Sequence, residues 1–362
     1  MPSSTQDSQD GPAPLATDAD VAYYVDRIVC IASGYDFRSY TIGTRLKIDL
    51  PEDQALEVKR NLNRRVAIAV AGKLPDREPD PHNSDITFML HFPGTWVDVT
   101  PSALFIYGRY LKFTRDLPQA RWLCMRCHAR GSIRGKQCPA CGGTGKVHAT
   151  SVEEIIAAPL LAAFNAEGTK MHATGRQDVD VRMLGSGRPF VIELVKPRRR
   201  TADLAALEQE INKSQAVAVR QLRLADRQIA REVDTARADK CYAAVVKCEK
   251  PLDPTALSRL CALSGTIIQQ QTPERVAHRR ADLMRPRMVK ALTARPLETG
   301  DPNRFEMEVL TEAGTYVKEL ISGDGGRTRP SVSDLLGMQC TCEALDVIEV
   351  RFDPFAEESH NP

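Results

Sequence analysis

Apolar residues recur along this chain in short runs of two different periods. Across Asp18–Ser33, Val21, Tyr24, Ile28 and Ile31 share one face at helical spacing, which predicts a helix. Phe37–Leu50 is strand-like. From Pro51 to Gly72, Leu56, Val58, Leu62, Val66 and Ile68 predict a helix running on toward a strand. Apolar and polar residues alternate over 84–92 and 96–99, and a further apolar run follows from Ala103 to Tyr110, so three strands are expected there. Together these elements read as a mixed α/β module from about Thr17 to Pro118.

Farther on, Ile155, Ile156, Leu160, Leu161 and Phe164 predict a buried helix over Val152–Ala166. Helices are expected around Leu204–Ile211 and Ile229–Ala236, and strands at Val217–Leu224, Lys240–Lys247, Gly265–Gln270, Phe305–Thr311 and Ala344–Phe352. Asp253-Pro254 is a helix start, with Asp as N-cap and Pro at the first position; Ser331–Leu336 is a short helix. Many strands joined by short turns, with helices between them, predict an α+β domain on a mixed, largely antiparallel sheet. No internal repeat is present.

Between these parts lies Ala173–Pro197, ATGRQDVDVRMLGSGRPFVIELVKP. Alternation through Asp178-Val179-Asp180-Val181-Arg182 predicts a short extended segment, broken at Gly185–Gly187 and followed by a strand over Phe190–Leu194. Guanidinium groups around a carboxylate favour its ionised form. Asp178 or Asp180, among Arg176, Arg182 and Arg188, can therefore serve as a nucleophile or base. A hairpin with surface ion pairs accounts for the same residues equally well.

The 362 residues suffice for two domains and a small module. With a net charge of only +2, a nucleic-acid partner has to be argued from local clusters. Three adjacent cations, Arg198, Arg199 and Arg200, form one such cluster. The densest contains Arg275, His278, Arg279, Arg280, Arg285, Arg287 and Lys290. No run of about 18 apolar residues suggests a membrane span, and the polar, proline-bearing residues 1–16 read as a disordered tail.

Cys124-x2-Cys127-x10-Cys138-x2-Cys141 has the spacing of two paired knuckles that close four thiolates on one tetrahedral Zn²⁺. Free thiols or disulfides are the alternative. Four thiolates fill the coordination shell, so such a zinc is structural and not catalytic. The other cysteines are scattered, which favours a reducing cytoplasm. The nearby GGTGK is not a phosphate-binding loop, because Ala140 stands at the required first glycine and Val147 follows the lysine.

GRQDVDVRMLGSGRPF resembles the central motif of the pseudouridine synthase ten family, the archaeal and eukaryotic T-loop tRNA pseudouridine synthases, and GRQD resembles the GR-x-D signature of pseudouridine synthases at large. The resemblance implies that Asp178 is the catalytic aspartate, with Asp180 the weaker candidate. Lys240-Cys-Tyr242 is similar to the family's tyrosine motif, which implies that Tyr242 stacks on the base. Gly314-Thr-Tyr-Val-Lys318 resembles the GTY-[IV]-[RK] motif, which implies that Lys318 pairs with the aspartate. The segment LFIYGRYLKFTRDLPQARWLC, residues 104–124, resembles the family too and implies an RNA-binding module of THUMP type. There Arg109, Lys112, Arg115 and Arg121, interleaved with Tyr107, Tyr110, Phe113 and Trp122, suit phosphates and stacking.

The resulting expectation is a tail (1–16), a THUMP-like RNA-binding domain (17–120), a four-cysteine zinc module (121–148) and a pseudouridine synthase domain (149–362). The function implied is isomerisation of uridine in the tRNA T-loop, at position fifty-five with fifty-four as a further target, without an organic cofactor. The RNA contacts expected are Arg109, Lys112, Arg176, Arg182, Arg188, Arg198, Arg199, Arg200, Arg275, Arg279 and Arg280. No protein partner is evident. A non-catalytic tRNA-binding or chaperone protein on the same fold is the competing reading. A zinc-ribbon factor without activity explains the cysteines but not the motifs after Ala173.

Overall fold

The computed structural model describes residues 16–356 apart from Arg279 and Thr299. The tail expected over residues 1–16 falls, Ala16 excepted, outside the described residues, as does Arg279. Two compact units are present. The first holds the described residues up to Leu104 with the short segments Leu161–Gly168 and Leu194–Ala202, and the second holds the rest.

In the first unit, α1 (Asp18–Ala32) is followed by β1 (Ser39–Leu46), α2 (Glu52–Lys73), β2 (Glu78–Pro79), β3 (Ile86–Phe92) and β4 (Trp96–Pro101). Thr17 and Asp20 close a capping box at the start of α1. The strand expected at the end of α2 does not form. Val58, Leu62, Val66 and Val70 recur every four residues and are all buried, while Ile68 points outward, so the segment keeps one apolar helical face. The sheet order is β2-β1-β3-β4, with β1 parallel to both neighbours and β3 antiparallel to β4. Tyr24, Ile28, Leu62 and Val66 from the helices share one core with Tyr40, Phe88 and Leu90 from the sheet.

The second unit begins with β5 (Leu104–Lys112). It continues through the small hairpin β6 (Ser132–Ile133) and β7 (Lys136–Gln137), then α3 (Val152–Phe164), β8 (Gly168–Ala173), β9 (Arg182–Val195) and α4 (Leu204–Ile211). Next come β10 (Val217–Ala225), α5 (Arg227–Thr235), β11 (Asp239–Cys248), a 3-10 helix (Pro254–Leu263), β12 (Thr266–Gln271) and α6 (Glu274–Ala277). The chain finishes with β13 (Met284–Pro296), β14 (Arg304–Thr311), α7 (Val317–Ser322), β15 (Thr328–Arg329), α8 (Val332–Leu336) and β16 (Cys340–Arg351). One ten-stranded sheet runs β10-β5-β9-β16-β11-β14-β13-β12-β15, with β8 paired to β9. Its long ladders are antiparallel, while β16 and β9 run parallel at Asp346–Val347 and Arg182–Met183.

Three sequence expectations change here. The run from Ala103 to Tyr110, grouped with the first module by proximity, becomes β5 between β10 and β9 in the second unit's sheet, and every residue of it is buried. The cation-rich stretch after Leu283, for which the sequence suggested no element, is a strand, β13. Asp178–Val181 is a turn closed by Val181 N–H donating to Asp178 O at 3.2 Å, not an extended segment. Gly185 does not break β9 but lies within it, at φ +55°. A Cβ there would sit 1.9 Å from the Ile348 carbonyl oxygen, so only glycine fits.

Candidate active site

The connection from β8 to β9, residues 174–181, carries Asp178, and the elements around it supply its neighbours. The Asp178 side chain is 41% exposed, and both of its nearest cations approach Oδ2: Arg275 at 3.2 Å and Lys318 Nζ at 3.8 Å. Arg275 comes from α6 and Lys318 from α7. Lys318 holds Asp180 more closely, at 2.9 and 2.7 Å to its two oxygens. Burial alone would raise the Asp180 carboxyl, but the Lys318 hydrogen bond and charge bring it below the usual range. Arg275 is fixed from behind by Glu319, a buried carboxylate that accepts its Nε–H at 2.6 Å.

Tyr242 lies on β11, paired with Val309 of β14 and Val347 of β16. Burial pushes its phenol up to about 12; the Arg188 charge opposes this and the Asp178 charge adds to it. The structure thus brings Asp178, Tyr242 and Lys318 into one neighbourhood. Lys240, two residues before Tyr242, is buried and pushed down to about 8 by desolvation, with Arg188 adding to the shift.

Cations also hold the turn itself. Lys112 Nζ donates to Val179 O at 2.7 Å and to Leu117 O at 2.8 Å. Arg115 donates to Asp180 O and Leu345 O, each at 2.8 Å, and to Asp346 Oδ1 at 2.9 Å. Asp346 also accepts two hydrogen bonds from Arg182, at 2.9 and 2.6 Å. Arg188 donates to Thr174 O at 2.8 Å and Gly175 O at 3.1 Å. Gln177, bonded to the Tyr110 hydroxyl at 2.9 Å, donates to Val181 O at 2.8 Å.

Several cations expected to meet RNA are therefore turned inward. Arg109 donates to the carbonyls of Ser186, Gly187, Val350 and Phe352, and Lys112 and Arg188 are each 1% exposed. The reason is that β5 has a sheet neighbour on either side and neither face open to water, so its cations must satisfy carbonyls. Arg182 and Arg275 are committed to carboxylates, and Arg280 donates to the Tyr316 hydroxyl at 2.7 Å. Arg176 is exposed. Arg198, Arg199 and Arg200 belong to the first unit; the first two are exposed, and Arg200 pairs with Asp85 at 2.9 Å. Sequence reasoning missed Asp346, Glu319 and Gln177. Only Glu319, next to Lys318 in its motif, carried a usable signal.

The four sulfurs of Cys124, Cys127, Cys138 and Cys141 lie within 4.8 Å of one another. Cys124 and Cys138 are 4.0 Å apart, and Cys127 and Cys141 are 3.7 Å apart. Ligands about 2.3 Å from a tetrahedral zinc stand about 3.8 Å from each other. The residues therefore fit a metal ion, with no sulfur left over. All ten cysteines are free thiols. Among the described residues no helix is long and apolar enough to cross a membrane.

Residues 105–351 match the family model described as Pus10, C-terminal. A protein of Archaeoglobus fulgidus named tRNA pseudouridine synthase Pus10 is 40% identical over 340 residues, covering 91% of this chain and 92% of the relative. One of the same name from Methanopyrus kandleri is 41% identical over 347 residues, covering 90% of this chain and 77% of that one. A third, from Methanothrix thermoacetophila, is 39% identical over 346 residues, covering 92% and 74%. These matches place the chain among the pseudouridine synthases. It belongs to the Pus10 family.

Proposed function

We propose that this chain isomerises uridine to pseudouridine in the T-loop of tRNA, at position fifty-five, with fifty-four a further candidate target. The observation that carries this reading is Asp178, partly exposed on a turn, with Arg275 and Lys318 on one oxygen and Tyr242 of β11 within reach of its charge. Asp178 attacks the sugar as the glycosidic bond breaks. Tyr242 presents its ring to the detached uracil, which turns and rejoins the sugar through carbon five, displacing the Asp178 carboxylate, while its freed N1 takes up a proton. The proton on carbon five then passes to a base, so that atoms balance with no cofactor consumed. Lys318 and Arg275 hold the aspartate in place.

The target base must leave its stack, and exposed cations such as Arg176 support the opened backbone. The first unit, with Arg198 and Arg199 exposed, takes the THUMP-like RNA-binding role. Cys124, Cys127, Cys138 and Cys141 hold a structural zinc, whose contribution is folding free energy. Cysteines joined by no disulfide suit a cytoplasmic setting.

The test is incubation with unmodified tRNA transcript followed by position-resolved pseudouridine mapping. The wild type forms product in the T-loop. Asp178→Asn binds tRNA and forms none, because an amide keeps the shape without the nucleophile. Asp180→Asn loses much less. Product elsewhere in the tRNA removes the positional assignment, and near-normal turnover by Asp178→Asn removes the catalytic one.

A further inference from the structure

Most cations of the second unit near Asp178 are spent on carboxylates or carbonyls. The cysteine module differs. Residues 121–148 contain six cations and no acidic residue. Lys146 pairs with Glu154 at 2.8 Å, but Arg126, Arg130, Arg134 and Lys136 are exposed and, among the described residues, pair with no carboxylate. Arg134 occupies the first position of the two-residue turn between β6 and β7, at φ +51° before Gly135 at +75°. That turn type favours asparagine or glycine, and among the described residues the Arg134 side chain makes no hydrogen bond or ion pair. Four thiolates on one divalent ion leave two negative charges at the centre, fewer than the cations around it.

The same surface is apolar in places. Trp122 is 48% and Met125 79% exposed. A tryptophan ring among unpaired arginines is the combination that takes both phosphates and an unstacked base. The position is also informative. The module's neck is closed by Val152 N–H to Pro118 O and Glu153 N–H to Gln119 O, each at 3.0 Å. At that neck the Gln119 side chain reaches the Gly175 carbonyl at 3.5 Å, on the turn that carries Asp178.

We propose that the cysteine module is an RNA-holding surface: Arg126, Arg130, Arg134 and Lys136 take backbone phosphates of the substrate RNA beside the target nucleotide, and Trp122 stacks on an unpaired base. This rests on the reading of the chain as a tRNA pseudouridine synthase. It assigns the module a task in binding in addition to the stability a metal would lend.

The experiment uses the full chain carrying Arg126→Gln, Arg130→Gln and Arg134→Gln together, with metal content checked against wild type. Affinity for a tRNA transcript is measured between 50 and 200 mM KCl, and single-turnover rate is measured at saturating RNA. Each lost phosphate contact removes about 0.9 from the slope of log affinity against log salt, so the slope becomes shallower by about 2 to 3 and affinity falls about ten- to a hundredfold at low salt. The rate at saturation stays within about twofold. Trp122→Ala loses several-fold in affinity with the slope unchanged. A wild type that binds and modifies tRNA, with a variant equal to it in affinity and slope, overturns the proposal while leaving the enzyme reading intact. Weaker binding by the variant, with no pseudouridine made by the wild type, supports the surface and removes the enzyme reading. A wild type that does not bind tRNA overturns both.

Discussion

Replacing Lys112 by methionine separates two jobs that one cation can do, holding RNA and holding the catalytic turn. Lys112 is buried, pushed down to about 8 from an ordinary value of 10.5, chiefly by desolvation, with Asp180 opposing that shift. At 1.36 kcal/mol per unit, keeping the charge at pH 7 costs about 3 kcal/mol. Against this stand two charge-assisted hydrogen bonds, to Leu117 O and Val179 O, typically about 1.5–3 kcal/mol each. Methionine matches the volume, relieves the desolvation and leaves two carbonyls unserved. The gains and losses nearly cancel, so global stability should stay within about 2 kcal/mol of wild type. The loss is local instead. Val179 directly follows Asp178, and a displacement of about 1 Å at a reacting group costs on the order of a hundredfold in rate. The expected result is a ten- to hundredfold lower single-turnover rate, with tRNA affinity and its salt slope unchanged and a denaturation midpoint close to wild type. An unchanged rate would refute the clamp. A normal rate at saturation, with weaker binding and a salt slope reduced by about 1, would show Lys112 on a phosphate after all.

Tyr242→Phe should bind tRNA normally and lose most turnover, while Tyr242→Leu should lose both, because the ring surface goes as well. With the phenol at about 12, only about one molecule in 10⁵ is ionised at pH 7. A rate that depends on the phenolate therefore climbs about tenfold per pH unit from 7 to 9, and a flat profile excludes it. Protein purified without added metal should carry one zinc per chain, and chelation should loosen residues 121–148; zinc-free protein whose four thiols all alkylate freely would rule the site out. Stability should rise with pH between about 8 and 10. Lys112 and Lys240 release their protons near 8 in the folded chain but only near 10.5 in the unfolded one, so the unfolded state binds more protons in that window. Unfolding free energies from urea melts at pH 7.5 and 9.5 should differ by about 2 kcal/mol per lysine. Above pH 10 the trend reverses, since unfolded tyrosines ionise before Tyr24, Tyr110 and Tyr242, each held near 12.

Features encoded over a few residues were legible from the chain alone. Two CxxC pairs brought four sulfurs within 4.8 Å, because a knuckle needs only its own turn to converge. Asp253 capped the 3-10 helix, since a cap is a contact with a residue two or three ahead. Asp178, Tyr242 and Lys318 were chosen by motif, and the sheet set them near one another. Arg109, Lys112 and Arg188 turn inward, which the sequence did not show, for a consistent reason: spacing shows that a charge exists but not which way it faces.

Local pattern thus determined most element types and the cysteine cluster, while resemblance to family motifs chose the three residues around which an active site is proposed. Tertiary structure alone decided what surrounds them. Arg275 reaches Asp178 across 97 positions of sequence, and Asp346 holds Arg182 across 164. Leu104–Lys112 became a central strand between β10 and β9 with both faces covered, which turned Arg109 and Lys112 from candidate RNA contacts into supports for carbonyls. Local propensity is a sum over neighbours in the chain. Whether a cation meets water, a carbonyl or a carboxylate depends on pairing between strands far apart in sequence, and that is settled only when the sheet closes around them.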